Sequence, residues 1–147
     1  MGGIVSAIRG GPDSEATITR AIALTKETGL PLSFLYIVNL DFMAHTMSGR
    51  VHMISEEMDE MGEFILLAAQ SAASEAGVSS DGLIRHGNVR EAIIDLCREL
   101  EPDYLVLGMP RVQKEASHFT EELLALFIDQ TEAQTGTKVV LPDGEAR

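Results

Sequence analysis

Lysine and arginine are scarce in this sequence of 147 residues: there are 11, against 23 aspartates and glutamates, for a formal charge of −12. Sequence-independent binding to DNA or RNA needs surplus cations to neutralise phosphates, so no nucleic acid is expected as a partner. An anionic membrane surface is disfavoured for the same reason. Long apolar runs are missing as well. Leu123-Leu124-Ala125-Leu126-Phe127-Ile128 falls far short of the roughly 20 residues that span a bilayer. Met1-Gly2-Gly3-Ile4 carries neither the basic start nor the apolar stretch of a secretion signal. With Cys97 as its one cysteine the chain makes no internal disulfide, and a reducing, cytoplasmic compartment is expected. What is plentiful is apolar residues, 45% of the chain, enough for one sizeable core in a single domain spanning 1–147.

Short apolar runs alternate with longer amphipathic ones. Gly3 to Ile8 reads as a first strand, ended by Arg9-Gly10-Gly11-Pro12. Asp13 or Ser14 can cap the following helix, Glu15 suits its positive end, and Ala21, Ile22, Leu24 and Thr25 form its core face before Gly29 stops it. Leu32 to Val38 is almost wholly apolar, as expected of a parallel strand buried on both faces. Asn39 to Arg50 is a polar connection. The next helix runs from about Val51 to Ala76, with Ile54, Met58, Met61, Ile65 and Ala68 spaced as its core face. Its glutamates, Glu56, Glu57, Glu60 and Glu63, read as a solvated stripe rather than a converging metal site.

Gly77 ends that helix, and Gly82 to Arg85 is a weaker strand. Asn88 caps a helix from Val89 to Leu100, whose Ala92, Ile93, Leu96, Cys97 and Leu100 face inward, making Cys97 a small buried hydrophobe rather than a nucleophile. Tyr104 to Gly108 is a central strand, Phe119 to Gln134 a fourth helix, and Thr137 to Leu141 a last strand before the polar tail Pro142 to Arg147. Strands alternating with helices imply right-handed crossovers and a parallel α/β sheet with helices on both faces.

Such sheets bind ligands beyond the C-terminal ends of their strands, where strand order reverses. The candidate ligand-binding residues are therefore Arg9, Gly10 and Gly11 after the first strand, Val38 at the end of the second, and Gly108, Met109, Arg111 and Lys114 after the fourth. The glycines let a backbone approach a ligand, and a helix N-terminus favours an anion. Arg85, His86 and Arg90 cluster in the same way after the third strand. These cations either hold a phosphate or carboxylate, or are loop residues paired with the abundant acids. Chemistry is thinly supported. His45, His52, His86 and His118 lack metal-ligand spacing, Ser14 has no nucleophile-elbow context, and no carboxylate dyad stands out.

Three segments in register resemble the universal stress protein family. Ile4 to Glu15, with Arg9-Gly10-Gly11-Pro12-Asp13-Ser14-Glu15, resembles the family's opening strand and its Asp-Gly-Ser-Pro-x-Ser-Glu turn; Arg85-His86-Gly87-Asn88-Val89-Arg90-Glu91-Ala92-Ile93 resembles the glycine turn before its third helix; Pro102-Asp103-Tyr104-Leu105-Val106-Leu107-Gly108 is similar to its fourth strand. The resemblance implies a five-stranded parallel sheet in order 3-2-1-4-5 and a homodimer formed through the last strand, here Val139, Val140 and Leu141. ATP-binding members carry an Asp at the end of strand one and a Gly-x2-Gly-x9-Gly-Ser/Thr loop after strand four. Here Arg9 stands in place of that Asp, Gly11 in place of a Ser and Arg111 in place of the second loop glycine; Glu121, Ala125 or Leu126 falls at the third, and 110–117 holds no glycine. The expected protein is thus a cytoplasmic, non-enzymatic stress-response or regulatory homodimer without the orthodox ATP site. Its alternatives are a sensor that grips a nucleotide such as ATP or AMP, or another small anion, through Arg9 and Arg111, and a nucleotide-hydrolysing enzyme.

Overall fold

The computed structural model describes residues 2–9, 14–38, 48–107 and 117–141, with backbone alone for 48–55 and 117–124. Among these, strands and helices alternate in the order β1 (Ile4–Ala7), α1 (Glu15–Thr28), β2 (Leu32–Val38), α2 (Ser48–Glu75), β3 (Ser80–His86), α3 (Val89–Leu100), β4 (Tyr104–Leu107), α4 (Ser117–Thr135) and β5 (Lys138–Val140). The five strands form one parallel sheet in the order β3-β2-β1-β4-β5. The parallel architecture expected from the alternating pattern, and the strand order implied by the resemblance, are both present.

Strand alternation divides the core into two layers. Ile4, Leu32, Phe34, Tyr36, Val38, Val106 and Val140 face α1 and α2. Val5, Leu35, Leu105, Leu107, Val139 and Leu141 face α3 and α4, where they meet Ile93, Leu96, Cys97, Phe127 and Ile128. Phe34 and Leu105 are fully buried. Asp103 aligns the starts of the central strands: its amide donates to the Gly3 carbonyl at 2.8 Å, and its carboxylate accepts from the Gly3 amide at 3.1 Å. On the same side Thr137 Oγ1 donates to the buried Pro102 carbonyl at 2.9 Å, which fixes the entry to β5.

Local signals near helix ends are mostly realised. Gly29 adopts the left-handed conformation and its amide bonds the Thr25 carbonyl, closing α1. Asn88 accepts the Glu91 amide through its side chain, as a cap should. Ser14 does not behave this way. It occupies the N-cap position of α1 but makes no capping bond, because its hydroxyl is engaged with Arg9 instead. Asp13 lies outside the described residues. Leu100 also departs from expectation. It is exposed at the last turn of α3, while Ile94 joins the buried stripe.

The largest difference concerns α2. Met61 and Ala68, expected in the core, are exposed, and Met58 and Ile65 are half-buried. The helix instead presses Gly62, Leu66, Ala69 and Ala73 onto the sheet. Residues 61–69 are apolar on nearly every side, so periodicity alone does not select a face. Size does. A Cβ on Gly62 would lie 2.6 Å from Cδ2 of Tyr36, and one on Gly82 of β3 would lie 3.3 Å from Leu66 Cβ. Small residues on both partners allow the helix to sit close against β2 and β3.

Candidate functional site

The reversal of strand order falls between β1 and β4, so the cleft of a fold like this opens above Ala7 and Leu107. Arg9 leaves β1 just beyond this point and is exposed. Its backbone is tied to Ser14 by two hydrogen bonds. The Arg9 amide donates to Ser14 Oγ at 2.8 Å, and the Ser14 hydroxyl donates back to the Arg9 carbonyl. This reciprocal pair explains why Ser14 is buried and leaves its own helix uncapped. Gly10 and Gly11 lie outside the described residues, as do Gly108, Met109, Arg111 and Lys114.

Val38 ends β2 with its side chain in the core. Its carbonyl accepts the Gly87 amide at 2.9 Å, which ties the ends of β2 and β3 together. Gly87 has φ +122, a conformation that side-chain-bearing residues rarely adopt. Just before it, the expected cationic cluster is divided by the pleat. Successive strand residues point to opposite faces, so Arg85 turns towards α3 and pairs with Glu99 at 3.6 Å, whereas His86 turns towards α2 and meets Asp59 at 2.7 Å. Arg85 and His86 therefore do not converge on one anion; each is matched with an acid, the guanidinium with Glu99 and the imidazole with Asp59. Sequence spacing had no means of finding Asp59 or Glu99, which come from different helices.

Other features bear on what the site can do. An open hollow of about 360 Å³ is lined by Gln70, Ser74, Gly77, Val78, Ser79 and Ser80. It sits at the start of β3, at the opposite end of the sheet from the strand-end cleft, and holds no charged group. Among the described residues no three His, Cys, Asp or Glu side chains come together in a way that could hold a metal ion, and no helix is long and apolar enough to cross a membrane.

β5 lies at one edge of the sheet. Val139, Val140 and Leu141 direct their side chains into the chain's own core, so what this edge offers a partner is backbone. Lys138 gives its amide to Asp103 on the β4 side. The neighbouring Val139 amide therefore points outward, where it donates to the Glu132 carboxylate at 3.0 Å. Glu132 thus covers a donor that would otherwise be open to pairing.

Comparison with known proteins agrees with this architecture. No curated protein matches the chain significantly in sequence. Among solved structures, the universal stress protein UspA from Lactobacillus plantarum superposes with a TM-score of 0.73 at 17% identity, covering 95% of this chain and 96% of its own. A universal stress protein family member from Burkholderia pseudomallei gives a TM-score of 0.67 at 18% identity, over 94% and 92% of the two chains. A family protein from Arabidopsis thaliana, solved with AMP bound, gives 0.59 at 14% identity, over 99% and 100%. Other matched structures are complexes with cAMP and, from Archaeoglobus fulgidus, dAMP. The profile of the universal stress protein family matches residues 1–131, nearly the whole chain. The parallel 3-2-1-4-5 sheet and that match together show that this chain belongs to the universal stress protein family.

Proposed function

We propose that this protein is a non-enzymatic stress-response regulator, one domain over 1–147, acting in the cytoplasm as a homodimer and without the orthodox ATP site of its family. The observation that carries this reading is Arg9 at the end of β1, where ATP-binding members carry an Asp. A guanidinium in that position cannot accept hydrogen bonds, and Ser14 spends its hydroxyl on the Arg9 carbonyl. The absence of glycine from 110–117 supports the same conclusion, since a phosphate loop depends on backbone that glycine frees. Incubation with Mg-ATP is expected to yield no phosphate or AMP above a heat-denatured control. Sustained turnover would overturn the reading.

The dimer is assigned to the β5 edge, with Val139, Val140 and Leu141 shaping the strand and its backbone making the contact. Glu132 must then swing off the Val139 amide before a second strand can pair there. Light scattering should find twice the chain mass, and Glu132→Ala is expected to lower the dimer dissociation constant several-fold. An unchanged or raised constant would show that pairing does not use this edge donor.

A second reading has a specific observation in its favour: relatives with this fold have been solved with AMP, dAMP and cAMP. Arg9 and Arg111 would then grip a single phosphate by charge-assisted contacts, with Gly10, Gly11, Val38, Gly108, Met109 and Lys114 around them. Titration of AMP, dAMP and cAMP into the parent and into the Arg9→Ala, Arg111→Ala double variant separates the two. Binding by the parent that the variant loses establishes the sensor, and no binding by the parent ends it.

A further inference from the structure

The outward face of α2 carries an apolar row that the fold leaves uncovered. Met61 is 56% exposed, Phe64 74% and Leu67 63%. At three-residue spacing they sweep diagonally across the side of the helix opposite Gly62, Leu66, Ala69 and Ala73, rising roughly 9 Å in all. Exposed Ala68 and Ala72 widen the patch. Scattered surface hydrophobics are ordinary, but neighbouring large ones on one face, rimmed by polar groups, mark an interaction surface. The patch exists because small residues claim the core side of α2, so the helix's large apolar residues are turned outward.

Along residues 56–75 the charged groups have one sign. Glu56, Glu57, Glu60 and Glu63 are exposed beside the row or one turn before it, Glu75 closes the far end, and 56–75 contains no Lys or Arg. A second copy of this chain would bring no cation from this segment to meet those carboxylates, and would add a further charge of −12. We propose that this face is a docking site for an amphipathic helix of a partner protein, apolar along one side and flanked by Lys and Arg. Phe64 is its central anchor, with Met61 and Leu67 one turn to either side, and the glutamates supply attraction and orientation.

The test uses the full chain and three labelled synthetic helical peptides, read by fluorescence anisotropy. One is built of Leu, Ala and Lys with a single apolar face, one has the same composition scrambled to destroy that face, and one carries Glu in place of Lys. The first is expected to bind at least tenfold more tightly than the second, and the third not at all. Phe64→Ser should weaken the first by about tenfold or more, and Glu57→Lys with Glu60→Lys should weaken it and flatten its salt dependence. Leu126→Ser, at an exposed position on α4, should leave binding unchanged. Each α2 variant is first checked for the parent's unfolding midpoint. Equal binding of the scrambled peptide, or indifference to Phe64→Ser, would reduce the effect to general electrostatics and overturn the proposal. Loss of self-association in Phe64→Ser would overturn it in favour of a second copy as the occupant.

Discussion

Replacing Gly62 by alanine is expected to destabilise the protein by about 1–3 kcal/mol, opposite in sign to the roughly 1 kcal/mol that alanine usually gains over glycine within a helix. The new methyl would stand 2.6 Å from Cδ2 and 2.9 Å from Cε2 of Tyr36. That ring is buried on β2, with strands paired on both sides, so it cannot step aside without moving the strand or lifting the helix. Urea denaturation of Gly62→Ala, Tyr36→Leu and the double variant apportions the effect. In the Tyr36→Leu background the alanine should be neutral or stabilising, because the clash is gone and the propensity gain remains. An equal penalty in both backgrounds would place its cause elsewhere, and a stabilised single variant would contradict the close approach of α2 to the sheet.

Cys97 is expected to be at least about 100-fold slower with a thiol reagent in the native protein than in the unfolded chain at pH 8. Its side chain is fully buried in the layer beneath α3 and α4. Burial, opposed in part by a hydrogen bond with Thr137, pushes the thiol from 9.0 up to about 11. A thiol that ionises near 11 rather than 9.0 presents about 100-fold less reactive thiolate at pH 8, before any hindrance to access. The same shift gives stability a defined pH dependence. The unfolded chain releases this proton near pH 9.0 and the native protein near 11. The contribution is therefore complete below pH 9 and is lost as pH rises towards 11. Comparing urea midpoints at pH 8 and pH 10.5 for the parent and Cys97→Ala tests the sign, since the variant should lose less of its stability over that interval. Identical losses would show that Cys97 does not titrate against folding.

Several of these features were legible in the residues. β2 and β4 announce themselves because a parallel strand covered on both faces must be apolar almost throughout, and Leu32–Val38 and Tyr104–Leu107 are. Asn88 and Gly29 were legible because capping is decided within a few residues. The facing of α2 was not. Its apolar residues wrap nearly all round, and the choice was made by the sizes of Gly62, Ala69, Ala73 and Gly82 against Tyr36 and Leu66, residues distant in sequence. The same distance hid the partners of Arg85 and His86, and the role of Glu132 over the β5 edge. Ser14 stands at the N-cap position of α1, but which of two local bonds takes its hydroxyl, that to Arg9 or that to its own helix, is not written in the residue spacing. The order of the sheet came through family resemblance rather than from any local signal. Of the candidate site, Arg9 and Val38 are placed at the strand ends where they were expected, and Gly10, Gly11, Gly108, Met109, Arg111 and Lys114 lie outside the described residues.

The most direct measurement is a calorimetric titration of the full chain with Mg-ATP. If Arg9 and the glycine-poor segment 110–117 have removed the orthodox nucleotide site, no saturable heat will appear below about 1 mM ligand, which corresponds to roughly −4 kcal/mol of binding free energy. Saturable binding of ATP in the micromolar range, unchanged by Arg9→Ala, Arg111→Ala, would contradict it.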